Sequence, residues 1–414
     1  MSAGAAVPEP SNASKITPRE AFHTLTASFL GWTLDAFDFF VLVMVLPAVA
    51  KDFGVSIADV AFTLTITLAF RPIGALVFGW MADRYGRRTP LMIDIIFYSV
   101  VEVLSGLAPT YMVFLVLRAL YGIGMGGEWG VGSSLAMEAI PKRRRGLFSG
   151  ILQEGYAVGY LLAAAAYFFI FPYFGWRAMF FVGGLPALLT IYIRSKVPES
   201  KTWERTRPDR GQILLAIRSN LPSFLYLVVF MTAMSLISHG TQDMYPTFLE
   251  KQRGLTPRAV AAIVVIYQLG ALVGGLVFGY VSDLIGRRRA IASAAMLGAL
   301  LVPLWIYPSS IIVLTIGAFL MQFMVQGAWG VIPAHLAAVS PPEARGLYSG
   351  LAYQLGVLFG GSVAYVEALL SERYGYTTAL AVIAAGVLST AAIVTLFGRE
   401  RHGVELHAAP EPAD

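Results

Sequence analysis

His239 and Asp243 stand four residues apart in an apolar stretch near 221 to 247, a spacing that stacks both on one face of a helix. Imidazole titrates near physiological pH and a neighbouring carboxylate shifts that titration, so the pair is suited to taking up and releasing a proton. Ser235, Ser238, Thr241 and Gln242 crowd the same turns, and Pro246 and Thr247 follow. Proline lacks an N–H and clashes with the carbonyl four residues back, which frees the Gln242 oxygen for a proton, a water or a ligand. An intramembrane histidine can also be a packing residue, but so many polar groups beside a proline favour function.

A second constellation lies toward the amino terminus. Asp35 and Asp38 are three residues apart, hence on one helical face, and are expected to face a cavity. A carboxylate desolvated there holds its proton more tightly and can carry it. Arg71 falls near the middle of the next apolar stretch, where burying a charge costs at least ~2.5 to 3.5 kcal/mol. Its guanidinium stays charged and can grip a carboxylate through two parallel hydrogen bonds. Two readings stand: Arg71 anchors a substrate anion, or it forms a permanent ion pair with Asp35 or Asp38. Arg118 is the other buried arginine, and because two aspartates balance two arginines, the acids are either proton carriers or structural counterions. Glu128 and Glu154 are secondary proton sites. Glu102 is a further acidic candidate, while Asp94 and Glu138 read as structural.

The elements that must position these groups are membrane helices. Hydrophobic residues make up 57% of the 414 and charged ones 13%, where a soluble domain carries about 25% charge. Twelve apolar segments, each near the roughly 20 residues that cross a bilayer, are expected at about 22–49, 58–82, 90–108, 111–137, 146–171, 176–195, 221–247, 259–281, 290–306, 310–336, 346–369 and 376–397. Residues 1–21 form an amino tail rich in Ala, Pro and Ser with no cleavable signal peptide expected, 22–195 an amino bundle, 196–220 a basic linker, 221–397 a carboxyl bundle and 398–414 a second tail. Lys and Arg concentrate in the tails, the linker and alternate loops, and six, Lys51, Arg177, Lys251, Arg253, Arg258 and Arg373, fall on the other side. Positive charge is retained on the cytoplasmic side, so both termini are expected there, in an inner (plasma) membrane. The net charge of +5 thus follows from topology, and no nucleic-acid partner is implied. The absence of cysteine excludes disulfides and thiolate chemistry.

The chain also repeats itself at an offset of two hundred residues. Gly79, Asp83, Arg84, Gly86, Arg87 and Arg88 return as Gly279, Asp283, Gly286, Arg287 and Arg288, with Leu284 in place of Arg84. Gly127, Trp129 and Gly130 match Gly327, Trp329 and Gly330; Arg145, Gly146 and Leu147 match Arg345, Gly346 and Leu347. Arg71 and Arg118 are matched by Ala271 and Ala318, and Glu128 and Glu154 by Ala328 and Gln354, so the shared scaffold requires none of these charges. Two halves in tandem with even span counts describe a parallel-repeat transporter.

The duplicated basic loop resembles the signature of the major facilitator superfamily, over nearly the whole chain. The resemblance implies an all-α membrane protein of twelve transmembrane helices in two six-helix pseudo-repeats. It makes the loop residues Gly79 to Arg88 and Gly279 to Arg288 a gate for alternating access, with Asp83 and Asp283 meeting helix amino termini of the opposite half, and with the missing basic residue at Leu284 weakening one side. Arg118, Gly122, Gly124 and Gly126 resemble the fourth-helix signature, which assigns the arginine to coupling, while the small residues also permit close packing.

The string from Ser235 to Thr247 resembles the seventh-helix signature of lactate and pyruvate:proton permeases in the sialate:proton symporter group, with Ser235 where those carry asparagine. Tyr353, Gln354, Leu355 and Gly356 resemble a run of the same group, with Val357 for its asparagine. By resemblance His239, Gln242, Tyr353 and Gln354 serve the substrate site from the carboxyl half and Arg71 from the amino half, although Gln354 also suits an interhelical hydrogen bond. The implied function is proton-coupled symport of a small monocarboxylate, lactate or pyruvate, by a monomer with no cofactor and no metal. Asp35-Ala36-Phe37-Asp38 resembles the first-helix motif of aromatic-acid:proton symporters, which makes that substrate class the alternative and sialate the next. Nothing resembles a His-Glu-x-x-His or Gly-x-Ser-x-Gly motif, so no enzyme is expected. A nontransporting nutrient sensor, the alternative of another class, would be expected to carry a long signalling extension, whereas a short tail follows Arg401.

Overall fold

The computed structural model describes residues 17–55, 57–206, 210–245, 248–249, 252–255, 257–360 and 363–398, and among these it is helical without a strand. The first half comprises α1 (Pro18–Phe53), α2 (Ile57–Tyr85), α3 (Arg88–Gly106), α4 (Tyr111–Ala139), α5 (Arg145–Gln153), α6 (Gly155–Phe169), α7 (Phe171–Val182) and α8 (Leu189–Lys196). Two short helices, α9 (Lys201–Thr206) and α10 (Arg210–Ser219), lead to the second half. That half comprises α11 (Leu221–Gln242), α12 (Pro257–Ile285), α13 (Arg287–Ile306), α14 (Ile311–Gly330), α15 (Ile332–Val339), α16 (Arg345–Gly360), α17 (Val363–Tyr374) and α18 (Tyr376–Leu396).

Local chemistry sets several of these ends. Thr17 caps α1 in a reciprocal box: the Glu20 N–H donates to Thr17 Oγ1 at 3.2 Å while the Thr17 N–H donates to Glu20 Oε2 at 2.8 Å. The first helix therefore begins at Pro18, inside the expected tail. At its other end Gly54, with φ of 66°, takes the left-handed conformation that glycine adopts without strain. Three expected spans are broken among the described residues. The fifth interrupts at Glu154, and the sixth bends by 42° at Gly183 and Gly184. The tenth breaks at Val331 because Pro333 cannot donate to the carbonyl of Trp329.

Among the described residues eight helices, α14 and α15 counted as one, are long and apolar enough to cross a bilayer, and α7 with α8 makes a bent ninth. The more charged α4, the broken pair α5/α6, and α16 with α17 complete twelve spans in two six-helix pseudo-repeats. Ile93, Val100, Leu104, Leu300, Ile312 and Val382 leave wide apolar surfaces exposed, as a lipid-facing perimeter requires.

Within each half the equivalent pairs α2/α4 and α12/α14 pack through glycine. A Cβ at Gly126 would stand 2.7 Å from Arg71 Cα, and one at Gly274 would stand 2.7 Å from Phe323 Cα. Between the halves the contacts are again equivalent, α2 against α16 and α5 against α12. Gly79 faces Leu347, with a Cβ-to-Cα approach of 2.8 Å, and Gly130 faces Gly350 at 2.7 Å. Both seams lie toward the end that carries the basic loops.

Candidate functional site

Beyond this seam the halves part around a cavity of about 360 Å³, walled by α1, α2 and α6 on one side and by α11, α12 and α16 on the other. Arg71 enters it from α2, 4% exposed. Its backbone is seated against Gly126, so the α4 glycines fix how far the guanidinium reaches. Pro72 follows within the helix and leaves the carbonyl of Leu68, another lining residue, without its helical N–H. Among the described residues no carboxylate lies within ion-pair distance of Arg71, and its Nε and Nη2 have no hydrogen-bond partner. Asp35 and Glu128 act on it only from a distance, inside the amino bundle.

His239 and Asp243 face the cavity from α11. Nδ1 lies 2.9 Å from Asp243 Oδ2, and the side chains are 29% and 41% exposed, so the pair is open to the cavity while Arg71 sits deeper. Gln242 lines the wall and donates to Ser238 Oγ at 3.1 Å. Pro246 and Thr247 lie outside the described residues. Ser235 packs its Cβ against Gly360, which explains a small residue where a longer amide would separate α11 from α16. Tyr353 forms the floor, stacked on Trp129 with ring centroids 4.0 Å apart and edge-on to Trp329 at 5.7 Å.

Three expectations change. Asp35 and Asp38 do not line the cavity. Trp32, Phe39 and Phe40 take that face of α1, and the helical period turns both aspartates into the amino bundle, fully buried. Tyr121 donates its hydroxyl to the Asp35 carbonyl at 2.9 Å, and a Cβ at Gly183 would stand 2.6 Å from Asp38 Oδ1. Neither aspartate pairs with Arg118, which donates to Glu102 Oε2 at 2.5 Å and to Ser105 Oγ at 2.6 Å beneath the Tyr121 ring. Gln354 does not line the cavity either; it donates to the Gly126 carbonyl at 3.3 Å and ties α16 to α4 across the seam, the interhelical reading of that amide. Glu154 is buried at the junction of α5 and α6. Sequence reasoning missed the aromatic wall, including Trp32 stacked on Tyr156 at 5.6 Å and Phe40 edge-on to Tyr160 at 4.5 Å. Aromatic residues are frequent in any membrane helix, so nothing in the sequence distinguished these.

At the basic-loop end each loop aspartate meets the opposite half, as the resemblance implies. Asp83 accepts from Gly346 N at 3.0 Å and Leu347 N at 2.8 Å; Asp283 accepts from Gly146 N at 2.8 Å and Leu147 N at 2.9 Å. These are the first turns of α16 and α5, where unpaired N–H groups and the helix dipole favour a carboxylate. Arg87 pairs with Asp83, and Arg287 Nη2 with Asp283 at 2.8 Å. Gly86 and Gly286 have φ of 100° and 98°, which only glycine adopts without strain.

The two gates differ, but not at Leu284 as expected. Arg84 is exposed against the Tyr85 ring and has no ion pair among the described residues, so its loss at Leu284 removes no seam contact. The difference lies at Glu138, which accepts from Arg345 Nη1 at 2.7 Å, approaches Arg87 Nη2 at 3.5 Å and accepts the Ser200 hydroxyl. Its repeat equivalent is Ala338, and Arg145 there donates to the carbonyls of Met137 and Ile140 at 3.1 and 3.0 Å. The segment after α8 joins the Asp83 gate. Glu199 Oε1 accepts from Arg87 N at 2.7 Å, and Trp203 Nε1 donates to the Asp83 carbonyl at 2.9 Å. Burial raises the Glu199 carboxyl above its ordinary range, against the pull of three backbone N–H donors. Arg88 donates to the Arg194 carbonyl at 2.9 Å and Arg288 to the Gly398 carbonyl at 2.8 Å.

The Major Facilitator Superfamily profile matches residues 28–256 and 225–413. The chain is 33% identical over 383 residues to the sialic acid transporter NanX of Escherichia coli, covering 90% of this chain and 93% of that protein. It is 31% identical over 375 residues to the carboxylic acid transporter protein homolog of Saccharomyces cerevisiae, covering 84% of this chain and 61% of that longer protein. The solved proton:xylose symporter XylE superposes with a TM-score of 0.76 over 94% of this chain and 98% of that one, at 19% identity, which shows the shared fold alone.

Proposed function

Since the chain belongs to the major facilitator superfamily of multi-pass membrane transporters and is no enzyme, we propose that it carries a small monocarboxylate, lactate or pyruvate, together with a proton. One observation carries this reading: a buried arginine faces the cavity with no carboxylate partner among the described residues, across from a histidine–carboxylate pair on the other half. A buried guanidinium left so is costly, and an incoming carboxylate relieves the cost. Arg71 holds the anion, Gln242, Tyr353 and His239 shape its surroundings, and Asp243 with His239 takes the proton. Asp35, Asp38 and Arg118, with Glu102, form a reserve of charge behind the site that senses its protonation. One proton moving with one monoanion is electrically neutral.

The basic loops face the cytoplasm of an inner-membrane protein, so the seam is shut inward and the cavity belongs to an outward-open state. The bundles, residues 22–195 and 221–397, rock as bodies joined by the linker 196–220, the loop residues Asp83 and Asp283 latching the inner side. A monomer holds the whole site.

The aromatic wall, with Tyr156, Tyr160, Tyr267 and Trp32 around Arg71, favours a second reading in which the acid carries a ring. Labelled-lactate uptake into proteoliposomes, with and without an imposed acid-outside gradient, decides between them when benzoate and sialate are added as competitors. Gradient-driven uptake that only excess lactate or pyruvate suppresses supports the first reading. Strong suppression by benzoate moves the substrate to the aromatic class, and absence of uptake for every acid ends the transport reading.

A further inference from the structure

Glu154 sits where the amino half crosses the carboxyl half, one residue behind the cavity floor. It is 5% exposed, and among the described residues its carboxyl has no cation beside it, only the Gln326 side chain as a hydrogen-bonding neighbour. Its carboxyl is thrust against Gly275 of α12, where a Cβ would collide with Oε1 and lie 3.5 Å from Gln326 Cγ of α14. The groups facing it are the Gly275 backbone, the Gln326 amide and, beside Gly155, Trp32 and Thr33 of α1. Among the described residues none of these elements turns a charged group toward it.

The repeat supplies an internal control. Gln354 occupies the equivalent position and donates its amide to the carbonyl of Gly126, whose own equivalent is Gln326. The same crossing is thus built twice, once around a neutral amide and once around an acid. A protonated carboxyl has the size and neutrality of that amide, whereas a bare carboxylate with no cation beside it is strongly disfavoured at such a place. Parting of the halves at the basic-loop end takes Gly275 away and admits water, which relieves the penalty.

We propose that Glu154 is a proton-binding latch at the crossing of α5/α6 with α12 and α14, protonated while the basic-loop end is shut and ionised when it opens. The inference rests on the alternating-access reading above, though not on the identity of the substrate. Linkage fixes the sign: acid holds that end shut, and rising pH releases it.

The chain has no cysteine, so a single introduced thiol reports without background. Ala337, 3% exposed, packs across the seam against the amino-half cluster of Leu25, Ala136, Met137 and Leu152. In an Ala337→Cys carrier reconstituted without substrate, reaction with an uncharged maleimide should speed up several-fold from mildly acid to mildly alkaline buffer, after correction for the reagent's own pH dependence. Adding Glu154→Gln should leave the rate low and level, while Glu154→Asp, which keeps the acid and shortens its reach, should keep the response with a displaced midpoint. A Glu154→Gln carrier that follows the parent profile overturns the proposal, as does a Glu154→Asp carrier as level as the glutamine variant, since volume and not protonation would then set the response. Should the glutamine variant fail to fold, a Glu154→Asp profile identical to the parent's overturns it and a displaced one supports it. Failure of lactate uptake leaves this measurement untouched, so the two readings fall separately.

Discussion

Glu138 accepts the guanidinium of Arg345 at 2.7 Å from the opposite half of the molecule, at a seam where the repeat-equivalent residue, Ala338, offers Arg145 no carboxylate. Both sides dock an aspartate on helix N–H groups and pair it with an arginine, and the Asp83 side adds a buried ion pair that spans the halves.

Replacing Glu138 by Gln should unlatch the stronger side. It leaves Arg345 and Arg87 buried with one carboxylate fewer, a change that typically costs about 3 to 5 kcal/mol. The purified variant should melt at lower temperature, and maleimide should reach Ala337→Cys faster in it than in the parent. Ala338→Glu should act in the opposite sense by adding a carboxylate beside Arg145, slowing exchange of labelled for unlabelled substrate. Unchanged labelling in both variants would show that the ion pair is incidental to closure.

Arg71→Lys tests the planar fork. Lysine keeps the charge but loses two parallel hydrogen bonds, and a loss of ~1.4 kcal/mol corresponds to about tenfold weaker apparent affinity. Concentration dependence of uptake reads this directly. An unchanged half-saturation concentration means that Arg71 attracts the anion without gripping it.

Asp243→Asn should abolish proton-driven accumulation while retaining some exchange, because exchange needs alternating access but no net deprotonation of the carrier. The amide mimics the protonated acid in size and shape. If this variant still concentrates substrate and Asp38→Asn does not, the proton resides in the amino bundle, and Asp243 reverts to a partner of His239.

Gly126→Ala probes the support under Arg71. The added methyl would meet the Arg71 backbone, with Cα at 2.7 Å, so α2 and α4 must separate, at a cost of about 1 to 3 kcal/mol. A lower melting temperature together with weaker substrate affinity is expected. A stability loss with normal affinity would show that the guanidinium adjusts independently of its backbone.

What the sequence displayed well was whatever the duplication or a short helical spacing encodes. The recurrence of Asp83 as Asp283 marked both carboxylates that dock on helix amino termini, Gly86 and Gly286 marked turns that only glycine makes easily, and the four-residue interval joined His239 to Asp243. What it hid depends on rotation and partner choice. Asp35 and Asp38 were correctly placed on one face, but a single helix does not declare whether that face looks to a cavity or to its own bundle. Charge counting paired two arginines with two aspartates, whereas packing gave Arg118 to Glu102 on α3. The break at Glu154 and the aromatic wall arise from contacts between distant helices and have no local signal.

The glycine seam has a mechanical consequence. Gly130 against Gly350, Gly79 against Leu347 and Gly150 against Gly275 bring main chain onto main chain at three points of the seam. Such glycine contacts lift apart without rotamer rearrangement at those points. They behave as a smooth bearing, in which the resistance to motion is concentrated in a few polar clasps. Turnover speed can then be tuned over a wide range by editing single charges at one end of the molecule, while the shape of the moving parts stays the same.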